Sequence, residues 1–351
     1  MLNNNKCVWD ALKESATPVI LYGMGNGADK VLDEFDKRSI KCSGVMASDD
    51  FVRYQNFRGF TVKKMSDFEE EFGDFTVALC FASSLDNVME QIYYVASRHN
   101  LLVPNVPVFG DEILDDAFLQ KHKDEIKTAY SLLADEKSRD TFEGALNFLY
   151  SGKLGYLKAI ESDKNEAFLS ILKLSDRESF LDLGAYRGDT VEEFLGYINS
   201  YEKIVAVEPN VKNFQKLCTY VEAENIERIT PLNAGISNEN GTTLVSKGGG
   251  RQSVLGDKNG VEINTITLDS IKDTYGDFSY IKVDIEGMEH KMFECAKNML
   301  SSKPKLNCAA YHTNYDFFAL INKIHELNSD YKIYLRKHPY IPCWDLNLYC
   351  I

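Results

Sequence analysis

Twice along the chain, short apolar stretches alternate with segments of helical periodicity, and this alternation limits the fold more than any other feature. The first run covers residues 17–110, and the second starts near residue 176 and continues to residue 351. Strands that alternate with helices are typical of parallel sheets with crossover helices on their faces. The sequence therefore predicts an α/β protein with two Rossmann-like sheets.

The apolar stretches also give approximate bounds for the predicted strands and helices. The predicted strands are 18–25, 41–48, 74–83, 101–106, 179–184, 203–209, 228–236, 279–287 and 305–312. The predicted helices are 28–38, 86–99, 189–200, 211–224, 287–300 and 315–328. Two strand-like runs around "HPYIP" (338–342) predict a terminal antiparallel hairpin. Residues 237–271 predict an inserted hairpin, whose tip "KGGGRQS" (247–253) either folds over an acceptor or is an ordinary solvated loop.

The segment between the two runs has a different character. Residues 111–175 are charged and helical in period, without a strand pattern. A chain of 351 residues is long enough for about two domains. The sequence therefore predicts a Rossmann-like domain over 1–112, a helical linker or lid over 113–175, and a second α/β domain over 176–351.

Composition excludes several classes of function. The net charge of −14 disfavours nucleic-acid binding, which needs a basic surface. No apolar run reaches the roughly 18 residues of a membrane helix, and the first residues lack the apolar core of a signal peptide. The eight cysteines are scattered without a CxxC pair, as in reduced proteins. We therefore expect a cytoplasmic protein without membrane insertion or nucleic-acid partner, and the sequence leaves homo-oligomerisation open.

The first strand of the second run ends in the turn "LDLGAYRGDT". Asp182 precedes Gly184, Gly188 follows, and these glycines let the backbone approach a ligand closely. Asp189 and Thr190 are predicted to cap the next helix. The spacing is GxxxG rather than the GxGxxG of a dinucleotide turn. An acid at this strand end suits a cation, such as the ammonium of a methionine-type ligand.

The next two strands end in residues that suit an adenosine. Glu208 follows the second strand and can accept both ribose hydroxyls. Asn233 ends the third strand and can contact an adenine edge, and Ala234 leaves room for the ring. Each signal alone also fits packing or a solvated carboxylate. In order on three successive strands, they predict S-adenosylmethionine as the cofactor.

The stretch "SYIKVDIEGMEH" (279–290) places three charges near a strand end. Lys282, Asp284 and Glu286 alternate with apolar residues, and His312 ends the neighbouring strand. A carboxylate or imidazole there can act as general base for methyl transfer to a hydroxyl. The alternatives are a Lys282–Asp284 ion pair, a Glu286 that only accepts backbone N–H bonds, and a structural His312. Asp284, Glu286 and His312 could also hold a divalent metal, but no diagnostic motif is present and no metal is predicted.

These motifs together resemble a known family. Residues from about 135 to 351 resemble the FkbM-type family of S-adenosylmethionine-dependent methyltransferases through "LDLGAYRGDT", "AVEPN", "NAGIS", "TLDSI", "IKVDIEGMEH" and "AAYH". The resemblance implies a seven-stranded sheet with one antiparallel strand, and methylation of hydroxyls on natural products, sugars or glycans. Tyr186 stands where many members have Asn. The implied cofactor site comprises Asp182, Gly184, Ala185, Tyr186, Gly188, Asp189, Thr190, Glu208, Asn233, Ala234 and Asp284.

The first run carries its own glycine turn, "LYGMGNGADKVL". Gly23, Gly25 and Ala28 fit a GxGxxA dinucleotide turn, and Asp49 follows at a spacing suitable for a ribose. The region resembles the small Rossmann-like domains that precede some sugar-modifying transferases. Short glycine turns also serve close helix–strand packing. The sequence therefore leaves a nucleotide or nucleotide-sugar site open beside a structural or substrate-presenting domain.

The predicted function is an S-adenosylmethionine-dependent O-methyltransferase. Its predicted acceptor is a hydroxyl of a sugar, a glycan precursor or a related small molecule. One alternative is N-methylation of an amino sugar. Another is an NAD-dependent oxidoreductase or epimerase that uses the N-terminal turn, and a third is a non-catalytic binding protein.

Overall fold

The chain forms two compact units, each made of several segments. The computed structural model describes residue 2 and residues 5–245 and 260–351, so the predicted loop 247–253 lies outside the described residues. Unit 1 comprises the residues up to Lys123 together with Arg139–Ser162 and Lys337–Asp345. Unit 2 comprises the described residues of Asp124–Ser138, Asp163–Arg336 and Leu346–Ile351. The contacts thus divide the predicted linker 113–175 between the two units.

Unit 1 contains a six-stranded sheet in the order β3-β4-β2-β1-β5-β6. Its strands are β1 (Val19–Tyr22), β2 (Cys42–Met46), β3 (Asn56–Phe57), β4 (Phe60–Lys63), β5 (Thr76–Leu79) and β6 (Asn100–Leu102). All neighbours are parallel except β3 and β4. This hairpin was not predicted from the sequence. Its two-residue turn places Arg58 and Gly59 at positive φ, as in the tight turns that match strand twist.

Helices cover this sheet, and further helices make up the part of the chain between β6 and the first strand of unit 2. The first four are α1 (Val8–Lys13), α2 (Asn26–Arg38), α3 (Met65–Phe72) and α4 (Asp86–Arg98). The intermediate segment forms α5 (Asp116–Lys121), α6 (Lys123–Leu132), α7 (Glu136–Ser151), α8 (Leu154–Ile160), α9 (Lys164–Glu166) and a π-helical turn (Ala167–Leu172). The helical character of 111–175 is thus confirmed. Along α2, Ala28, Val31, Leu32 and Phe35 are buried at helical spacing, which explains why this face packs inward.

Unit 2 contains a seven-stranded sheet and a smaller three-stranded sheet. The strands of the unit are β7 (Ser179–Leu183), β8 (Lys203–Val207), β9 (Ile229–Leu232), β10 (Ala234–Ile236), β11 (Gly241–Val245), β12 (Val261–Ile266), β13 (Tyr280–Val283), β14 (Lys305–Ala309), β15 (Ile333–Lys337) and β16 (Leu346–Cys350). The large sheet has the order β15-β16-β14-β13-β7-β8-β9, and the small one the order β10-β12-β11. β16 is antiparallel to β14, and β11 is antiparallel to β12, so both expected antiparallel features are present.

The helices of unit 2 separate most of its strands. They are α10 (Asp189–Tyr197), α11 (Val211–Ala223), α12 (Leu268–Tyr275), α13 (Glu289–Glu294), α14 (Lys297–Leu300) and α15 (Asp316–Leu327). Phe180 of β7 packs against Tyr280 of β13 and Phe194 of α10, with ring centroids 4.8 and 4.5 Å apart. Such buried aromatic pairs contribute about 0.5–1.5 kcal/mol beyond area burial. They hold β7 and β13 in register beneath the strand ends.

Three predicted elements of unit 2 differ in the structure. The predicted strand 228–236 is two strands in different sheets, because the chain leaves the large sheet at Asn233. The predicted helix 287–300 is two short helices, α13 and α14. The predicted strand 279–287 ends at Val283, and Glu286 and Gly287 then take φ values of +56° and +86°. A left-handed pair cannot continue a strand, so the residues after Val283 form a turn.

Candidate active site

The candidate active site lies at the carboxyl ends of neighbouring parallel strands in unit 2. Glu208 directly follows β8, Asp182 lies near the end of β7, Asp284 directly follows β13, and His312 follows β14. These four strands are consecutive in the sheet, in the order β14-β13-β7-β8. Open α/β sheets bind ligands at this edge. The structure therefore brings the sequence-predicted residues of four strands to one edge.

The glycines of the turn after β7 are required by packing within the chain. Gly184 has φ +91°, and a Cβ there would lie 1.8 Å from the Asp284 carbonyl oxygen. Gly188 has φ +97°, and its Cβ would lie 2.5 Å from the Tyr220 ring. The N–H groups of Gly184 and Ala185 both donate to the Val207 carbonyl at 3.0 Å. The turn after β7 is thus fixed against the chain segments after β13 and β8.

Asp182 presents an unpaired acceptor in a buried position. The Thr190 hydroxyl donates to its Oδ2, whereas its Oδ1 has no hydrogen-bond partner among the described residues. Burial is the main cause that raises the pKa of Asp182 to about 7, and Lys282 opposes this shift. The prediction that Asp189 and Thr190 cap α10 is wrong, because Gly188 is the N-cap without a side-chain bond. Thr190 instead orients the buried carboxyl.

Glu208 holds the loops after β7 and β8 together. Its Oε2 accepts the Tyr186 N–H at 2.9 Å, and its Oε1 accepts the Asn210 N–H at 2.8 Å. Burial raises the pKa of Glu208 to about 7, although these N–H bonds act in the opposite direction. Each carboxylate oxygen has a second acceptor position. The Asn213 side chain also hydrogen-bonds to this carboxylate, so Glu208 can keep its bonds and still accept a ribose hydroxyl.

The amide nitrogen of Asn233 positions the loop after β8. Its Nδ2 donates to the Glu208 carbonyl at 2.8 Å and to the Pro209 carbonyl at 3.1 Å. Ala234 is buried at the start of β10. Only the Oδ1 of the Asn233 amide is left to meet an adenine amino group, so the predicted contact depends on that atom.

Tyr186 lies in the left-handed region with φ +46°. Asn visits this region more readily than other residues with a side chain, which gives a physical reason for Asn at this position in many family members. The Arg187 guanidinium lies over the Tyr186 ring, 4.7 Å from its centroid. The departure from the family pattern therefore places an aromatic ring at the turn.

A chain of ion pairs crosses the ends of β13 and β14. Lys282 Nζ lies 3.1 Å from Asp284 Oδ2, and His312 Nε2 lies 3.3 Å from Asp284 Oδ1. On the other side of the ring, His312 Nδ1 lies 3.0 Å from Oε1 of Glu289. Glu289 is fully buried, and the same oxygen accepts the Ile285 N–H. Glu289 was not among the residues predicted from the sequence. The only indication of its role was its position within the motif "EGMEH".

The charges in this chain stabilise one another. Burial by itself would lower the pKa of His312, but Glu289 and Asp284 outweigh it and hold that pKa well above its usual range. Burial would raise the pKa of Asp284, but Lys282 and His312 keep it well below its usual range. His312 is therefore an imidazolium that bridges two carboxylates. A protonated ring is a poor general base, which argues against His312 as the base.

Glu286 reaches the same cluster by a different route from the predicted one. Its Oε2 lies 3.7 Å from His312 Nε2, and its side chain is 27% exposed. Only Lys282 lies within β13, so strand alternation does not bring the three charges together. The left-handed turn at Glu286 does so instead. Asp284, Glu286 and His312 are thus neighbours, although the reason given by the sequence pattern was wrong.

The cluster also has the donor set of a metal site. Ligand atoms of Asp284, Glu289 and His312 all lie within 4.8 Å of one another. A metal-ligating imidazole must be neutral, whereas Glu289 and Asp284 favour the protonated form of His312 by raising its pKa. Lys282 adds a second positive charge beside Asp284, so two cationic side chains face these two carboxylates.

Unit 1 places its glycine turn and acidic residue at one edge of its own sheet. Gly23 has φ +124°, and its N–H donates to the Met46 carbonyl at 2.9 Å. Gly25 is the N-cap of α2, and Ala28 is buried in the first turn of this helix. Asp49 follows β2, with a 70% exposed side chain 3.6 Å from Lys64 Nζ. The four residues thus lie around the carboxyl ends of β1 and β2.

The fold and the strand ends of unit 2 define a class of protein. A seven-stranded sheet with one antiparallel strand, and with acids after its central strands, is the arrangement expected of S-adenosylmethionine-dependent methyltransferases. Residues 182–340 match the family described as the methyltransferase FkbM domain. This match covers the part of unit 2 in which the sequence motifs indicated the same family.

Solved structures provide a similar picture for the fold. Methyltransferase FkbM from Methylobacillus flagellatus is 22% identical, with a TM-score of 0.73 over 100% of this chain and 94% of that chain. Aeropyrum pernix fibrillarin, solved with bound S-adenosyl-L-methionine, is 12% identical with a TM-score of 0.34, over 53% of this chain and 73% of that chain. A precorrin-6y C5,15-methyltransferase from Geobacter metallireducens is 12% identical with a TM-score of 0.34, over 52% and 82%. Only the first is close enough to support the fold.

No curated protein is significantly similar to the chain. Within the part of the chain that the structure describes, no helix has the length and apolar character needed to cross a membrane.

Proposed function

We propose that unit 2 uses S-adenosylmethionine to methylate a hydroxyl of a sugar, a glycan precursor or a related small molecule. The observation that carries the proposal is the row of acids Glu208, Asp182 and Asp284 on three adjacent strand ends. Each acid suits a different part of the cofactor and acceptor. We also propose a cytoplasmic location, from the reduced and scattered cysteines.

The chain's own groups fit the cofactor. The unpaired Oδ1 of buried Asp182 is an acceptor for an ammonium group. Glu208 keeps an acceptor position for a ribose hydroxyl, and Asn233 Oδ1 faces the adenine in this arrangement. When bound there, S-adenosylmethionine supplies an electrophilic methyl group on a sulfonium. No metal is needed for that chemistry in the proposal.

Proton removal falls to the carboxylates rather than to His312. Asp284 is 29% exposed but paired with both Lys282 and His312, which favours its role in orientation. Glu286 is similarly exposed, and its Oε2 lies farther from His312 Nε2, at 3.7 Å. We therefore assign Glu286 as the general base, which takes the proton from the acceptor hydroxyl. His312 holds Asp284 and Glu286 in place, and its positive charge stabilises them both.

The experiment that tests this function measures binding and transfer with the full chain. Calorimetry with S-adenosylhomocysteine should show one site, and Glu208→Ala should weaken binding roughly tenfold to a hundredfold, since about 1.5–3 kcal/mol of charge-assisted hydrogen bonding is lost. Ionised Glu208 accepts hydroxyl donors better than its protonated form. Because its pKa of about 7 should fall on binding, wild type should release more protons near neutral pH than Glu208→Ala, in which only Asp182 can still lose a proton to the bound ammonium.

The matched control is Glu202→Ala, an exposed acid at the amino end of the same strand, which should leave affinity unchanged. Melting curves establish that both variants are folded. Radiolabelled methyl transfer to a panel of sugars and matched amino sugars then identifies the accepting atom. Transfer to amino sugars alone would replace the O-methyl assignment with N-methylation. A folded wild type that binds neither S-adenosylmethionine nor its product would overturn the proposal.

A further inference from the structure

Unit 1 contains a cavity that the methyltransferase chemistry does not use. It has a volume of about 420 Å³ and is lined by the ends of β1 and β2, through Tyr22 and Met46, and by α4. The chain order reverses between β1 and its neighbour β5, since β2 lies on the other side of β1. The crevice at such a reversal, beyond the carboxyl ends of the strands, is where open α/β sheets bind ligands. Its size is within the range of small-molecule pockets.

The surfaces of the cavity suit a flat ring. Met46, Met65 and Val95 supply apolar walls. Phe51 and Tyr94 also line it, although they are 65% and 49% exposed. Large aromatic side chains left exposed beside an apolar cavity are suited to stacking on a planar ligand. A nucleobase is such a ligand.

The polar groups of the cavity suit the edge of a base and a ribose. Asn87 and Gln91 both line the cavity one helical turn apart on α4, so their amides lie on one face of the helix. Amides offer both a donor and an acceptor, which is the pattern of a nucleobase edge. Asp49 lines the cavity three residues after β2, where an acid can accept ribose hydroxyls.

The charges of the cavity place any phosphate outside it. Its lining, taken from the described residues, includes the acids Asp49 and Asp50 and carries no Lys, Arg or His. The glycine turn lies next to it, because Gly23 bonds to Met46, which lines the cavity. A Cβ on Gly25 would meet nothing within 4 Å, so the backbone at the start of α2 is open to approach. Backbone N–H groups at a helix start accommodate phosphate.

We propose that unit 1 binds the nucleoside diphosphate portion of a nucleotide sugar or dinucleotide. The base lies in the cavity against Phe51 and Tyr94, the ribose bonds to Asp49, and the diphosphate reaches the turn Gly23–Gly25. This site is independent of the proposed methyl transfer. Its failure would leave the function of unit 2 untouched.

The test is calorimetry on the full chain with S-adenosylhomocysteine present at saturation. UDP and ADP are titrated first, followed by UDP-glucose, NAD⁺, uridine and adenosine. At least one diphosphate should bind, and its nucleoside should bind at least tenfold more weakly. Asp49→Asn should weaken binding roughly tenfold or more. Ser66→Trp, at an exposed residue that lines the cavity, should abolish it by filling the space.

Matched controls separate the site from general damage. Asp36→Asn on the exposed end of α2 and Glu90→Trp on α4 lie outside the cavity lining and should leave affinity unchanged. UDP-glucose and NAD⁺ distinguish the two sources of the diphosphate. The proposal is overturned if no diphosphate binds the folded chain, or if Ser66→Trp leaves the affinity intact. Equal affinity for a nucleoside and its diphosphate would remove the assigned role of the glycine turn and contradict the proposal as stated.

Discussion

Each unit packs a buried histidine between two carboxylates, and the two arrangements differ in place and in exposure. In unit 1, His99 lies 3.1 Å from both Glu69 and Asp74. In unit 2, His312 lies 3.0 Å from Glu289 and 3.3 Å from Asp284. Asp74 and His99 precede β5 and β6 and therefore lie at the amino ends of strands, whereas Asp284 and His312 follow strands. Only the second cluster lies at the ligand-binding edge of its sheet.

Exposure separates the two clusters further. The carboxylates around His99 are partly solvated, with Asp74 72% exposed, so water screens their charges. Glu289 is fully buried, and its charge is offset only by its own partners in the protein. Similar side chains in similar sheets thus form a partly solvated polar cluster in one unit and a buried cluster beside the candidate active site in the other. Sequence alternation alone cannot distinguish the two cases.

The glycine turns give the largest expected contrast between the units. Gly184→Ala should lower the free energy of unfolding by about 4 kcal/mol, because a left-handed φ and overlap with the Asp284 carbonyl act together. Gly25→Ala should change it by less than about 1 kcal/mol, because its Cβ meets open space. Urea denaturation of the full chain, followed by circular dichroism, measures both. Similar costs for the two variants would show that the turns are not packed differently.

The second largest contrast is the stability lost when one carboxylate is removed from each histidine cluster. Glu289→Gln removes a buried negative charge beside the His312 imidazolium and should cost about 3 kcal/mol of stability. Glu69→Gln should cost under about 1 kcal/mol. Glu294→Gln, at an exposed site on the same helix as Glu289, is the control. The methyl-transfer rate of Glu289→Gln should fall as well, and NMR titration should show a lower pKa for His312.

The effect of Glu289 should also depend on pH. The raised pKa of His312 stabilises the fold below the unfolded value of about 6.5, and this contribution is lost as pH rises through the folded pKa. The stability difference between wild type and Glu289→Gln should therefore shrink towards high pH. A difference that stays constant or grows with pH would mean that His312 is not a bound cation.

The two left-handed tyrosines give the smallest expected effects. Tyr186 has φ +46° in unit 2, and Tyr54 has φ +53° in unit 1. Replacement by Asn should stabilise either site by about 1 kcal/mol, because Asn adopts this conformation at lower cost. Only Tyr186→Asn should alter affinity for S-adenosylhomocysteine, by a fewfold. Thermal melts and calorimetry test both changes. An equal shift of affinity in Tyr54→Asn would remove Tyr186 from the proposed cofactor site.

Much of the fold was predictable because the spacing of apolar residues within a short segment indicates a strand or a helix. The alternation, the antiparallel terminal strand and the strand ends at Asp182 and Glu208 all follow from local patterns and the family motifs. The β3–β4 hairpin was missed because its strands are only a few residues long. The break after Val283 was missed because Glu286 adopts a left-handed conformation that residue type does not favour.

The site was harder to predict where partners come from distant segments. Asp284, Glu286 and His312 were singled out by their types, and the structure brings them together. Glu289 was not, because its role depends on burial and on an imidazole supplied by the chain after β14. Likewise, Thr190 was expected to cap a helix. Its bond to Asp182 was missed because that bond depends on how α10 packs on β7. Pairings of this kind are set by tertiary packing and leave no local pattern.

The bridge of Glu289, His312 and Asp284 also restricts the order in which a descendant sequence could change. Replacing Glu289 or His312 alone by an apolar residue leaves a buried charge without its partner, which typically costs about 3–5 kcal/mol. Replacing both together by apolar residues of similar volume can be nearly neutral in stability. A lineage that abandons this chemistry would therefore lose the two residues in close succession, and intermediates with one of them should be rare.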